Sequence, residues 1–430
     1  MKKIQVMNIK NRSSSTDSNQ EVLSMAKKII IIGTTDTKGE QLIMLRDKIA
    51  ALGHQPLLMD LSMGGQTRYP ADIPPDEVAA LSGKTMQEIF AADDRSVITE
   101  WMTQGAIAKV QALLAEKSLD GIVAVGGMSI ALIGARIMDQ LPFGIPKVIG
   151  TTAAMPVYVA KLFDANDITV MQLIMEIAGT NDLIQNAISQ VAGAICGMAQ
   201  SCFDHRSLSL PKPAIAITQI GFSDQCAKNV ECLLQEKGYS VFPFHAQGIS
   251  DRAMDKLIGQ GFFDGVIEIT PAGLIEEKYK GNRAAGFDRL DAAGERGIPQ
   301  VWAPCCLNLT GVGPTRFNRE KYLASGKIWH MDAIRSMTRF PEDELLEGAR
   351  MYAEKMNAAK GPIKLVVPLK GWSSIDKPGD ILHDPEQDQL FVKELKSRLN
   401  ADIIVEEVDF NLEEMGYAQK LVSSLEAFMG

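Results

Sequence analysis

Short apolar runs recur along this chain, separated by stretches whose apolar residues return at helical spacing. Residues 27–32, 56–61, 119–125 and 146–151 are apolar on both faces and bounded by glycine or polar turns. That pattern suits strands buried inside a parallel sheet. The intervening segments suit helices, so the chain predicts parallel sheets covered on both sides. An insertion over residues 64–118 holds Pro70, Pro74 and Pro75, then helices near 76–91 and 95–117. Residues 171–198 read as one long apolar helical stretch containing Gly179 and Gly193. Later strands are expected near 214–220, 239–244, 263–270, 299–304, 363–369 and 401–408. Later helices are expected near 341–357, 386–399 and 413–428.

The order of these elements occurs twice. Strand, glycine, polar turn, helix, Gly53, strand is repeated as strand, Gly221, polar turn, helix, Gly238, strand. Asp120-Gly121-Ile122 is echoed by Asp264-Gly265-Val266, and Gly144-Ile145-Pro146 by Gly297-Ile298-Pro299. Four landmarks in one order predict an α/β fold of two similar Rossmann-like lobes with parallel sheets and an inter-lobe cleft. The expected division is a disordered tail over 1–26, a first lobe over 27–205 that binds nucleotide or phosphate, and a second lobe over 206–430. The linker lies in the proline-containing stretch 201–213.

Composition changes this picture little. With 46% hydrophobic and 23% charged residues, the chain reads as an ordinary soluble enzyme. A net charge of -9 offers no basic face, which argues against nucleic acid and anionic membranes as partners. No apolar run reaches the roughly 20 residues that span a bilayer. The six cysteines show neither a CxxC pair nor zinc-site spacing, so reduced thiols and a cytoplasmic location are expected. The five histidines have no metal-binding spacing either.

Candidate chemistry gathers where strands end. Gly33-Thr34-Thr35-Asp36-Thr37-Lys38 joins a buried strand to a helix, where amides, hydroxyls and the lysine would hold an anion. The plainer alternative is that Asp36 or Thr37 only caps the helix. Gly126-Gly127-Met128-Ser129 forms a second such turn, with Ser129 as the expected N-cap. Thr151 and Thr152 end a third strand on the same edge. Thus Gly33, Thr34, Thr35, Thr37, Lys38, Gly126, Gly127, Met128, Ser129, Thr151 and Thr152 are the candidate cofactor contacts. His245, Lys38 and Asp36 are the candidate catalytic groups, His245 because it ends a buried strand beside the Gly248 loop. A structural histidine would look the same. Cys305 and Cys306 read first as small buried residues, and Arg283, Asp288 and Arg289 as a solvated helix start. Glu268 inside an apolar strand needs a partner.

Together these strings, with Asp288-Arg289-Leu290 and Pro368-Leu369-Lys370-Gly371, resemble the family of the tomato tobamovirus-resistance protein's N-terminal ATP-binding domain. The resemblance runs from about residue 27 to 428. It implies two Rossmann-like subdomains, ATP as ligand with Mg2+ beside its phosphates, and a homodimer; the apolar stretch 171–198 is the expected dimer face. The turn residues Met128, Ile130 and Ala131, and Ala153-Ala154-Met155-Pro156, depart from the family pattern and leave room for another phosphorylated or carboxylated ligand. Three functions follow as expectations: a nucleotide- or phosphate-binding enzyme of small-molecule metabolism; an ATP-independent enzyme doing C–C or C–O chemistry on a small carboxylate with His245 moving the proton; or a non-catalytic binding partner of a separately encoded barrel protein.

Overall fold

The structure, a computed structural model, describes residues 26–64, 68–201 and 208–430. The tail expected over 1–26 and the centre of the 201–213 linker lie almost wholly outside the described residues. The chain divides into two compact units between Leu208 and Ser209.

The first unit runs β1 (Lys28–Gly33), α1 (Thr35–Ala51), β2 (Gln55–Asp60), α2 (Pro75–Leu81), α3 (Met86–Ala91), α4 (Arg95–Ala115), β3 (Gly121–Gly126), α5 (Met128–Met138), β4 (Lys147–Thr151), α6 (Pro156–Phe163), β5 (Ile168–Gln172) and α7 (Asp182–Ser201). Its sheet has the order β2-β1-β3-β4-β5, parallel throughout. The isoleucines of β1 show why both faces must be covered. Ile30 and Ile32 pack into one cluster, with residues of α4 and α5. Ile29 and Ile31 pack into the other, against Leu42, Leu45 and Ile49 of α1 and Ile184, Ile188, Val191 and Ile195 of α7.

The second unit runs β6 (Ala214–Gln219), α8 (Asp224–Glu236), β7 (Ser240–His245), α9 (Ser250–Gly259), β8 (Gly265–Glu268), α10 (Leu274–Lys278), α11 (Asp291–Arg296), β9 (Gln300–Trp302), β10 (Leu309–Gly311), α12 (Arg319–Leu323), β11 (Trp329–His330), β12 (Ser336–Arg339), α13 (Glu342–Ala358), β13 (Ile363–Pro368), α14 (Pro385–Lys396), β14 (Ile404–Val408) and α15 (Met415–Met429). Its parallel sheet, β14-β13-β9-β8-β6-β7, reproduces the first order and adds β14. β1 corresponds to β6, β2 to β7, β3 to β8, β4 to β9 and β5 to β13.

The repeated landmarks have the same physical cause in both units. Asp120 accepts the Lys28 amide at 2.9 Å, and Asp264 accepts the Ala214 amide at 2.7 Å, so each aspartate ties the start of the third strand to the first. Gly53 and Gly238 end their helices at φ +87° and +88°, a left-handed turn that L-residues resist. The carbonyls of Pro146 and Pro299 accept the Ile122 and Val266 amides, at 2.9 and 3.0 Å.

Two expectations are corrected. Residues 171–198 are not one helix: β5 occupies 168–172, Gly179 turns at φ +69°, and α7 begins only at Asp182. The β-branched, alternating Ile168-Thr169-Val170 favours a strand. Leu173 and Ile177 are then buried within the unit's own core, while Ile174 and Leu183 are exposed. The antiparallel sheet β10-β12-β11 was not anticipated, because strands of two to four residues carry too short a pattern to read.

Arg283 and Arg289 are likewise buried and not solvated. Arg289 Nη1 donates to both oxygens of Asp255 at 3.0 Å and Nη2 to Glu268 at 2.8 Å, while Asp251 stands 3.6 Å from Nε. This is the partner Glu268 required. Three carboxylates around one guanidinium leave a surplus of negative charge. Burial pushes Asp255 up to about 7 against the pull of Arg289, and Glu268 adds to the rise. The folded protein therefore holds a proton that the unfolded chain releases above its usual value of about 4. Stability from this group falls as pH rises from about 4 to 7, by at most about 1.4 kcal/mol per pH unit, and is level above that. Urea unfolding of wild type and Asp255→Asn across this range should show a shallower slope in the variant, the remainder coming from groups such as Asp388, which burial also pushes up, to about 6.

Candidate functional site

In the order β2-β1-β3 the chain leaves β1 in one direction to β2 and enters β3 on the other side. Such a switch point leaves a crevice at the carboxyl ends of β1 and β3. A cavity of about 560 Å³ opens there, within the range of small-ligand sites. Thr34, Asp36, Thr37 and Lys38 form one wall, and Gly126, Gly127, Met128 and Ser129 another. Met63, Ile98 and Ile130 give it an apolar part; Asp93 and Arg95, from the start of α4, complete it.

The first wall is held from beneath by Asp60, the fully buried last residue of β2. It accepts the Thr35 amide at 2.9 Å and the Thr35 hydroxyl, and the Ser62 amide and hydroxyl at 3.0 and 2.6 Å. Thr35 is thereby turned inward and supports the turn. Thr34 and Thr37 remain at the cavity with their hydroxyl oxygens 2.7 Å apart. The Lys38 amide donates to the Thr34 carbonyl at 2.9 Å, and Lys38 then leaves helical geometry at φ -129°, ψ 22°. The first turn of α1 is thus nearly a separate loop. Neither Asp36 nor Thr37 is the N-cap; that position belongs to Thr34, whose side chain caps nothing.

The second wall corrects another expectation. Gly127, not Ser129, is the N-cap of α5, and no side chain caps this helix. Its first amides are left to whatever enters the cavity. A side chain at Gly126 would strike Ile130 at 2.9 Å, whereas one at Gly127 would meet nothing within 4 Å. Gly126 therefore serves packing, and Gly127 keeps the cavity open.

Several expected contacts are occupied elsewhere. Gly33 is a packing glycine, because a Cβ there would lie 2.6 Å from Leu42. Thr151 is buried and accepts the Ala153 amide at 3.2 Å. The Lys38 ammonium, though beside the cavity, donates to Glu176 and to the Ile177 carbonyl, both at 2.5 Å. Thr152 donates to the other Glu176 oxygen at 3.2 Å, so Glu176 joins these two candidates. The Lys38 hydrogen bond holds Glu176 below the usual carboxylate range. His245 is exposed at the end of β7, in the second unit, while every residue lining the cavity belongs to the first.

Sequence reasoning missed Asp60, Asp93, Arg95 and Glu176. Asp60 carried a readable signal, a carboxylate closing an apolar run, as Glu268 did. Arg95 carried none, since it starts one helix of an insertion with no repeat to compare. Its side chain makes no ion pair or hydrogen bond among the described residues, which leaves a cation at the cavity mouth.

With the geometry established, comparison with known proteins places the chain. Residues 27–204 match the uncharacterised protein family (UPF0261) N-terminal domain, and residues 212–429 match its C-terminal domain. The chain belongs to the UPF0261 family. A UPF0261 protein of Clostridium tetani is 32% identical over 410 residues, covering 94% of this chain and 100% of its own. The ToMV resistance protein Tm-1(GCR237) of Solanum lycopersicum is 27% identical, covering 93% of this chain and 56% of its own length. Among solved structures, an S. aureus MnaA-UDP co-structure shares 12% identity over 90% of this chain and 100% of that one, with a TM-score of 0.22, a likeness too faint to bear on function. Among the described residues no helix of this UPF0261 protein is long and apolar enough to cross a membrane.

Asp60→Ala should orphan buried donors that cost roughly 1–3 kcal/mol each. Chemical denaturation should show a large loss of stability, and hydrogen exchange should rise first in the Thr34–Lys38 turn.

Proposed function

We propose that the first unit binds a phosphorylated small molecule, with ATP the first ligand to test, and that the protein is an enzyme of small-molecule metabolism. The observation that carries this reading is the uncapped start of α5 opening on the empty space at Gly127. Helix amides with no partner and a partial positive charge are a natural seat for phosphate oxygens. Thr34, Thr37 and Ser129 add hydroxyls, and Arg95 adds a charge. Met63, Ile98 and Met128 supply an apolar surface for a base or another flat group.

Mg2+ fits this site only with help from the ligand. The described residues contain no group of three His, Cys, Asp or Glu able to hold a metal ion. Asp36 and Asp93 both line the cavity, so phosphate oxygens would complete the coordination, as is usual for this cation. Bound there, Mg2+ would neutralise phosphate charge; the protein's own residues would bind and orient the ligand.

Calorimetry with ATP, ADP and inorganic phosphate, with and without Mg2+, tests the reading. Arg95→Ala removes a charged hydrogen bond worth about 1.5–3 kcal/mol and should weaken binding roughly 10- to 100-fold. Gly127→Val should keep its melting temperature, because open space receives the new side chain, yet lose binding. Failure of the wild type to bind any of these, or undiminished binding by both variants, would overturn the proposal.

A further inference from the structure

The second unit carries a different feature at its carboxyl edge, independent of the cavity in the first. A row of buried polar side chains crosses the ends of β6, β8 and β9. Ser223 and Thr270 share a hydrogen bond of 3.2 Å between hydroxyls. The Thr270 hydroxyl in turn meets Cys305, and the Cys305 thiol donates to Cys306 with its sulfur 3.8 Å away. The two cysteines lie in the turn that follows β9. Here Cys306 has φ +60°, a left-handed conformation rare for any residue with a side chain, and the two sulfurs come together.

Beyond Cys306 the row ends on Arg283. Its Nε and Nη2 donate to Glu276 at 3.2 and 2.8 Å, and Nη2 also donates to the Leu309 carbonyl at 2.6 Å. Its Nη1 is buried with no hydrogen-bond partner, and the Cys306 sulfur stands beside the guanidinium. Residues 281–286 lie over this edge as a strap. It fits because Gly248 and Gly273 have no side chains: a Cβ at either would sit 2.3 Å from the Ala284 carbonyl oxygen or 2.5 Å from the Ala285 Cβ.

We propose that Cys305 and Cys306 form a peroxide-sensitive dithiol, in which Cys306 is the attacking sulfur and Cys305 the resolving one. The Cys306 thiolate attacks one oxygen of a hydroperoxide. The O–O bond breaks, two electrons pass from sulfur to peroxide, and the departing oxygen takes up a proton to leave as an alcohol, or as water from hydrogen peroxide. Cys306 is now a sulfenic acid. Cys305 loses its proton and attacks that sulfur, the S–O bond breaks, and the hydroxide leaves as water. Two thiols and one hydroperoxide thus give one disulfide, one alcohol and one water.

The surroundings assign the two roles. The hydrogen bond from Cys305 draws Cys306 below the ordinary thiol value, burial opposes this, and Arg283 adds to the lowering; Asp376 acts the other way. Burial pushes Cys305 well up, so it stays a thiol until the first step is complete. Both sulfurs are fully buried, so the oxidant must be as small as hydrogen peroxide. Adjacent Cα atoms lie about 3.8 Å apart across a trans peptide, closer than disulfides usually span. The product is therefore strained and readily reduced again, as regulatory disulfides are.

The full-length protein, treated with a small excess of hydrogen peroxide and digested under non-reducing conditions, provides the test. Cys232, exposed on α8, is the internal reference. The peptide holding Cys305 and Cys306 should lose two hydrogens before Cys232 is oxidised, and dithiothreitol should restore it. Cys305→Ser should stop at the sulfenic acid, one oxygen heavier and trapped by dimedone present in the denaturant that opens the oxidised protein. Oxidation of Cys232 while the pair stays reduced, or an oxidised pair with no dimedone adduct in folded Cys305→Ser, would overturn the proposal. If that variant does not fold, the wild-type rate comparison alone decides.

Discussion

A strand buried on both faces can present polar groups only at its ends, and this constraint places all the chemistry of the molecule. Along β1 four consecutive isoleucines are fully buried, so nothing polar can be housed there. The amino ends are closed by Asp120 and Asp264, each stapling two strands through backbone amides. The carboxyl ends are where carboxylates, hydroxyls, thiols and uncapped amides collect. They must be satisfied there by one another or by something that binds.

The two units share a topology and use that edge in opposite ways. In the first, Gly127 leaves space above the start of α5, and the supporting carboxylate of Asp60 sits below the turn, so the edge is open. In the second, the Thr218 hydroxyl donates to Glu268 and accepts the Thr270 amide, and the strap over 281–286 packs against Gly248 and Gly273. A duplicated fold does not oblige a duplicated site. The difference rests on a few positions: Ala124 in β3 stands where β8 has Glu268, and that one carboxylate brings in Arg289 and its other acids.

Much of the fold was legible because its signals are local and strong. Apolar runs on both faces located the long strands of both sheets, and the echoed glycines and aspartates gave their correspondence. What failed has a common cause. β5 hid inside an apolar stretch whose helical and strand readings differ only in where a glycine turns, and β10, β11 and β12 are too short to show a period. At the candidate site, the turn residues were found but their orientations were not. Whether Thr35 faces ligand or core depends on Asp60, twenty-five residues away, and whether Lys38 is engaged depends on Glu176, far along the chain. Such pairings carry no sequence spacing.

The place where β13 joins the second sheet has a consequence for how the chain reaches its native state. β4 and β5 are neighbours joined by one short helix, so the last strand of the first sheet closes a small loop. Their counterparts β9 and β13 are equally close in the sheet, yet the whole of β10, α12, β11, β12 and α13 lies between them. Closing that larger loop costs roughly 1 kcal/mol more, at about 0.6 kcal/mol per doubling of length. β14 can pair only after β13 has docked, since β13 is its neighbour in the sheet. The outer half of the second sheet is thus the late-assembling part of the molecule, and its unpaired β9 edge is the surface most in need of protection while the chain is incomplete.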